Sequence, residues 1–182
     1  MPLNDYLAEH PPHPNPYSAS DVIALLHENH WLTVDPAPEH LAWADRAARL
    51  LGHYAEDRAA LASLLRPVFH YDAAETLQSP DAQAAISRYA ARDVIRHLAL
   101  LVLEPTPFTS ERFKEVATYL KETCGVRSRD LFNPIRLALA GRTGEGELDR
   151  VILLIDEASG LVFAVPVKSV RTRILEFCSA LD

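Results

Sequence analysis

Residues 108–156 carry the pattern that decides the fold class, and they read FTSERFKEVATYLKETCGVRSRDLFNPIRLALAGRTGEGELDRVILLID. Apolar residues recur in this stretch every three or four positions, which is the spacing of one face of an α-helix. The Thr-Ser pair at 109–110 offers an N-cap for the first helix, and Gly125 ends it. The Asn-Pro pair at 133–134 begins the next helix, and Gly141 ends that one. The stretch therefore predicts consecutive helices joined by short turns.

The same spacing continues on both sides of this stretch. Further helices are predicted over about 18–31, 41–51, 54–65 and 167–181, with one long helix from Ser79 to about Leu103. Only residues 160–165, GLVFAV, have the composition of a strand, and one strand is too little for a sheet. The predicted fold is all-α, a bundle of seven to eight helices.

A chain of 182 residues is of the length of one domain. Residues 1–17 contain five prolines, so they predict an extended arm and not a helix. Residues 18–182 are expected to form the helical domain, with 18–103 and 108–182 as two candidate lobes.

Charge is distributed unevenly along the chain. The formal net charge is −7, and residues 1–80 carry the whole acidic excess, whereas residues 81–182 hold 14 charges of each sign. Residues 121–142 are locally basic, with five cations against two carboxylates. The acidic total argues against a general polyanion binder, but it leaves room for a local basic surface.

Several classes of function are disfavoured by what the sequence lacks. It contains no phosphate-binding loop, no dinucleotide-binding turn and no nucleophile elbow, so we predict neither an enzyme nor a cofactor. No apolar run approaches the roughly 18 residues of a membrane span, and no signal peptide is apparent. Two cysteines are too few for a disulfide framework. A cytoplasmic protein is expected.

His27 and His30 are the sharpest metal candidates, because a spacing of three places both rings near one face of a helix. The alternative is a solvated helix end, where histidine complements the helix dipole. His53 or His70 is available as a third ligand, but the HExxH register is missing and no Cys/His pair lies nearby, so the sequence favours the alternative.

Arg136 is the strongest candidate for a contact to phosphate or base. It stands three residues after the predicted cap Asn133, close to free amides that attract anions. The alternative is a structural pairing with Asp130 or Glu122. Three further cations lie near Arg136 in sequence: Lys121, Arg129 and Arg142.

Residues 108–156 resemble the C-terminal anticodon-binding domain of bacterial glutamyl-tRNA synthetase. The most specific motif is LFNPIRLALAG at 131–141, followed by EGEL at 145–148. Residues 167–175, VKSVRTRIL, are similar to the last helix of that domain. Residues 54–69, YAEDRAALASLLRPVF, are similar to a segment near its start.

The resemblance implies a helical module whose arginines contact the phosphates and splayed bases of a tRNA anticodon loop. Arg136 and Arg58 match the motif arginines, and the implied supporting contacts are Arg129, Arg142, Lys121, Arg171 and Arg173. The implied partner is a tRNA, expected to accept glutamate. A separate catalytic protein is a second implied partner, because the nucleotide-binding motifs of a synthetase are not found. The alternative is a protein-interaction or scaffolding module that kept this fold and lost RNA binding.

Overall fold

A computed structural model describes residues 14–104 and 106–182, and within them it contains helices and no strand. The all-α prediction is confirmed. Residues 1–13 of the predicted arm lie outside the described residues. The described ranges hold ten α-helices: α1 Ala19–Glu28, α2 Pro38–Leu51, α3 Arg58–Phe69, α4 Ala73–Leu77, α5 Pro80–Ile86, α6 Ala91–Leu101, α7 Ser110–Cys124, α8 Arg129–Ala140, α9 Gly146–Ser159 and α10 Val170–Leu181. A short 3-10 helix, Gly52–Tyr54, follows α2.

Helix ends follow the local chemistry of the sequence. The Thr109 hydroxyl accepts the backbone N–H of Arg112 at 3.2 Å and caps α7. Gly125 and Gly141 end α7 and α8 with φ of +67° and +77°, a conformation that costs glycine nothing. These three predicted ends are confirmed.

The predicted long helix from Ser79 to Leu103 is wrong. The structure divides it into α5 and α6 at residues 87–90, where Ala90 adopts φ of +62°. A left-handed alanine costs about 1–2 kcal/mol, and burial of the apolar face of α6 offsets that cost. Residues 73–77 form α4 where a loop was expected, so the helix count is higher than predicted.

Helix α9 lies at the centre of the fold. Its residues from Leu148 to Ile155 are all buried, and it contacts α2, α3, α8 and α10. A helix that is covered on all sides needs apolar side chains around its whole circumference. The run VILLI at 151–155 meets that need. On the other side of α8, helices α5, α6 and α7 complete the bundle.

The segment after α9 is anchored by an aromatic cluster. The ring of Phe163 lies 5.5 Å from that of Trp43 and 5.0 Å from that of Phe69, centroid to centroid. The Val162 carbonyl accepts the Nε2 proton of His40 at 2.8 Å, because His40 Nδ1 already accepts the Ala37 N–H. Phe163 is therefore part of the core, while the Val162 side chain is 82% exposed.

Arg173 joins three helices from a site with no solvent exposure. Its guanidinium donates to the carbonyls of Pro67 at 2.7 Å, Val68 at 2.8 Å, Leu139 at 3.0 Å and Lys168 at 2.8 Å. Pro67 and Val68 belong to the last turn of α3, and Leu139 belongs to the last turn of α8. One cation thus satisfies carbonyls at two helix C-termini, where the helix dipole is negative.

Tyr71 covers the Arg173 guanidinium. The ring centroid lies 4.9 Å from the guanidinium carbon, and the phenol proton is shared between the carbonyls of Ala138 at 2.5 Å and Arg173 at 3.0 Å. Burial lowers the pKa of Arg173 to about 10. This value is still well above neutral pH, so the guanidinium stays charged there. Burial also raises the pKa of the Tyr71 phenol well above its usual range.

Replacing Arg173 by methionine should destabilise the fold strongly. Arg173→Met leaves four buried or half-buried carbonyls without their donor, and an unmade hydrogen bond costs about 1–3 kcal/mol. We expect the free energy of unfolding, measured by urea titration, to fall by at least about 3 kcal/mol. Arg171→Met is the matched control, because Arg171 is exposed on the same helix. Equal stability of the two variants would contradict the role assigned to Arg173.

Tyr71 should keep its phenol proton while the protein is folded. Subtracting the alkaline absorbance titration of Tyr71→Phe from that of the wild type isolates this side chain among six tyrosines. We expect no tyrosinate signal in that difference around pH 10, the usual pKa of tyrosine, until the protein unfolds. A resolved step near pH 10 in the folded protein would show that the phenol is accessible.

Candidate nucleic-acid interface

Arg136 lies inside the bundle. It is the eighth residue of α8, which begins at Arg129, so the predicted position near a helix N-terminus is wrong. The side chain is 8% exposed, and its Nε and Nη2 donate to the two carboxylate oxygens of Asp149 at 2.7 and 2.9 Å. Its Nη1 donates to the carbonyl of Gly144 at 2.7 Å. The partner is thus neither Asp130 nor Glu122.

The Arg136–Asp149 pair joins α8 to α9 and holds the turn between them. Burial raises the pKa of the Asp149 carboxyl, while the hydrogen bonds and charge of Arg136 act in the opposite direction. A bidentate guanidinium–carboxylate pair satisfies both groups where water is excluded. We therefore assign Arg136 to the framework of the fold.

Arg136 and Arg173 are both withdrawn from the surface. Each nitrogen of both guanidiniums donates to a protein acceptor, and the residues are 7% and 0% exposed. Neither group can reach an RNA in this conformation. Arg136 and Arg173, the two predicted site residues that are buried, therefore have a structural role.

The other five predicted cations lie at or near the surface, at separate junctions. Arg58 pairs with Glu28 of α1 at 2.7 Å, and Arg129 is 79% exposed with Glu145 at 3.6 Å. Arg142 donates to the Ser63 carbonyl at 3.1 Å, and burial lowers its pKa. Lys121 in the last turn of α7 and Arg171 in the first turn of α10 are exposed. The structure does not gather these residues into one site.

A cluster of arginines that sequence reasoning missed lies at the break between α5 and α6. Arg88, Arg92 and Arg96 line one open cleft of about 530 Å³, which we call the arginine cleft. Asp93 is the carboxylate among its lining residues, and it lies 4.0 Å from Arg96. Arg92 is exposed and has no ion pair or hydrogen bond with any residue that the structure describes. Tyr89, which follows Arg88 in the chain, is 84% exposed and is not among the residues that line the cleft.

The arginine cleft adjoins the start of α8. Arg88 forms a short ion pair with Asp130 through its Nε, with 2.5 Å between nitrogen and oxygen, and this contact lowers the pKa of the Asp130 carboxyl. Arg127 and Arg129 both precede Asp130 in the chain, and both are exposed. Predicted residue Arg129 thus lies next to the newly found cluster. The four-residue spacing of Arg92 and Arg96 was the signal available in the sequence, since it places these two arginines on one face of α6, while Arg88 lies in the break before that helix.

The cleft beside Arg142 is lined by charges of both signs. It encloses about 480 Å³, and its rim also carries Arg66 and His70 opposite the carboxylates of Asp72 and Glu75. Opposite charges on one rim do not favour a polyanion. This cleft therefore gives no support to a phosphate contact at Arg142.

The histidine pair does not form a metal centre. The Nδ1 of His27 lies 2.8 Å from the carbonyl of Leu32 and is engaged there. Across residues 14–104 and 106–182, no group of three or more potential ligands is arranged to hold a metal ion. In the same residues, no helix is long and apolar enough to cross a membrane.

Comparison with known proteins relates part of this chain to a tRNA ligase. The chain is 33% identical over 86 residues to a protein named glutamate–tRNA ligase 2 from Syntrophus aciditrophicus (strain SB). The matched segment covers 47% of this chain and 18% of the ligase, so the chain spans less than a fifth of that relative. No protein-family profile matches the chain, and no solved structure matches it.

Breaking the buried Arg136–Asp149 pair should destabilise the fold. Removing one partner of a buried ion pair costs about 3–5 kcal/mol, whereas replacing both by apolar residues of similar size is often close to neutral. We expect Arg136→Met to lower the free energy of unfolding by about 3 kcal/mol or more, and Arg136→Met with Asp149→Leu to recover part of that loss. Urea titration of the single and double variants tests this, and additive losses would contradict the pairing.

Proposed function

We propose that this chain is a tRNA-binding module related to the part of glutamate–tRNA ligase that contacts tRNA, and that its role is binding and not catalysis. The observation that carries the proposal is the identity of 33% over 86 residues with a protein of that name. The all-helical fold agrees with the anticodon-binding domain that residues 108–156 resemble. A glutamate-accepting tRNA is the proposed partner, and a separate catalytic protein would supply aminoacylation.

The charge of the surface supports the same proposal. Arg92 and Arg127 are exposed and have no described partner, and Arg129 has only a distant one at 3.6 Å. Unpaired arginines suit phosphate oxygens, because the planar guanidinium donates two parallel hydrogen bonds. The acidic excess of residues 1–80 would disfavour RNA near that part of the chain. We therefore propose that the RNA lies along α6 and the start of α8.

Binding of tRNA should depend strongly on salt. Each neutralised phosphate releases counterions, so a contact of about three to five phosphates gives a slope of about −2 to −4 in log affinity against log salt. We expect that slope from fluorescence anisotropy with labelled tRNA between about 50 and 200 mM KCl. Glutamate-accepting tRNA should bind more tightly than bulk tRNA.

The matched variants for this experiment are Arg127→Gln with Arg129→Gln, compared with Arg49→Gln. Arg49 is 73% exposed on α2 and pairs only with Asp45 of its own helix. The double variant should reduce both the affinity and the salt slope, whereas the control should change neither. Absence of binding at about 50 mM KCl would contradict the proposal and leave a protein-interaction module as the function to test.

A further inference from the structure

We infer that the cleft beside Arg142 binds a short aliphatic zwitterion, a small molecule that carries a carboxylate at one end and an ammonium group at the other. The carboxylate meets Arg142 and the turn that follows α8, and the ammonium group meets Asp72 and Asp81 on the wall formed by the starts of α4 and α5. The inference does not rest on the proposed function, because it concerns a different cleft and a ligand other than RNA.

The cleft has the size and the floor of a small-molecule site. Its volume of about 480 Å³ lies within the range of about 300–1,000 Å³ that is typical of such sites. Its apolar lining residues are Pro67, Ala82, Leu137 and Ala140. Methylene groups of a ligand gain free energy when they leave water and pack against such side chains. The cleft therefore suits a ligand with an aliphatic part.

The turn after α8 supplies donors for a carboxylate. Arg142 is half-buried, and its described hydrogen bond runs from Nη2 to the Ser63 carbonyl at 3.1 Å, so Nε and Nη1 remain available. Burial lowers the pKa of its guanidinium, while the charge of Glu147 acts in the opposite direction. Within the described residues, the backbone N–H groups of Arg142 and Thr143 have no acceptor. A desolvated guanidinium beside free amides gains from a carboxylate, which accepts several hydrogen bonds at once.

The wall formed by the starts of α4 and α5 supplies acceptors for an ammonium group. Asp72 caps α4 through Oδ1, which accepts the Glu75 N–H at 3.0 Å, and its Oδ2 has no described partner. Asp81 is exposed and has neither an ion pair nor a hydrogen bond with a described residue. Glu75 is already paired with His70 at 3.3 Å. Two carboxylates thus remain available, on elements other than those that carry the donors.

The presence of both charge types on separate walls selects the ligand. Asp72 and Asp81 repel a simple anion such as phosphate, and Arg142 repels a simple amine, as does Arg66, which also lines the cleft. A ligand with one charge of each sign meets a favourable partner at both ends. Because the donors and the carboxylates belong to different walls, charges at opposite ends of a chain fit better than charges attached to a single carbon atom.

The experiment follows the backbone amides of the isotope-labelled protein by NMR during titration with ε-aminocaproate, caproate, hexylamine and norleucine. Caproate and hexylamine each lack one of the two charged groups, and norleucine is an isomer of ε-aminocaproate with both groups on one carbon atom. We expect ε-aminocaproate to bind at least about tenfold more tightly than each of the other three compounds. Its binding should shift the amide signals of Gly141 and Thr143, which line the cleft.

Two variants remove one charge each from the cleft. Asp81→Asn and Arg142→Gln should each weaken the binding of ε-aminocaproate by about tenfold, because each leaves one end of the ligand without its charged partner. The matched controls are Asp35→Asn and Arg49→Gln, since both residues are exposed and lie outside the cleft. Asp81 is exposed, so Asp81→Asn keeps the test valid should Arg142→Gln destabilise the fold through its lost bond to Ser63.

The inference is overturned if caproate, hexylamine or norleucine binds as tightly as ε-aminocaproate. It is also overturned if Asp81→Asn leaves the affinity for ε-aminocaproate unchanged, or if this compound leaves the amide signals of Gly141 and Thr143 in place. These outcomes are independent of tRNA binding. Failure of this inference therefore leaves the proposed function intact, and failure of the proposed function leaves this inference intact.

Discussion

The buried guanidinium of Arg173 is the contact on which the arrangement of the helices depends. Burying a charged group costs folding free energy unless the group is hydrogen-bonded. Here each guanidinium nitrogen donates to a carbonyl of α3, α8 or the segment before α10. No carboxylate is needed beside it, because the C-termini of two helices supply the negative end of their dipoles. The geometry therefore fixes where α3 and α8 end relative to α10. Helix α8 in turn sets the position of α9 through the pair of Arg136 and Asp149.

These two arginines change how the similarity to a tRNA ligase is interpreted. Arg136 and Arg173 lie in the segments that resemble the anticodon-binding domain, and both are engaged by the protein itself. In this chain, the arginines of those segments therefore serve to join helices. A function in RNA binding has to rest on other side chains, since a buried guanidinium that is bonded within the protein through each of its nitrogens is not accessible to a phosphate. The exposed arginines around α6 and the start of α8 meet that condition.

Much of the fold was predictable, and the failures have identifiable causes. Capping residues such as Thr109 and terminal glycines such as Gly141 act within one turn, so their effects can be inferred from neighbouring residues. The break at Ala90 could not be inferred in this way, because Ser-Arg-Tyr-Ala at 87–90 contains neither glycine nor proline and the apolar spacing continues through it. Packing of α5 and α6 against α8 determines that break. The partner of Arg136 was missed for a similar reason, because Asp149 lies one helix further along.

The uneven charge of the chain distinguishes the arginines at the break between α5 and α6 from the acidic residues 1–80. The acidic excess arises in residues 1–80, where 11 carboxylates face only four cations, and Arg58 in that part is already paired with Glu28. Fields from exposed charges decay over about 8–10 Å at physiological salt, so an approaching polyanion senses the nearest residues and not the net charge of −7. Near Arg92, Arg96, Arg127 and Arg129 the local balance is positive, although the whole protein is not. In the proposed mode of binding, the acidic excess of residues 1–80 disfavours an approach of RNA to that part of the chain. The left-handed Ala90 lines the same cleft as Arg88, Arg92 and Arg96, so the break in the helix that costs stability also brings these three arginines to one cleft.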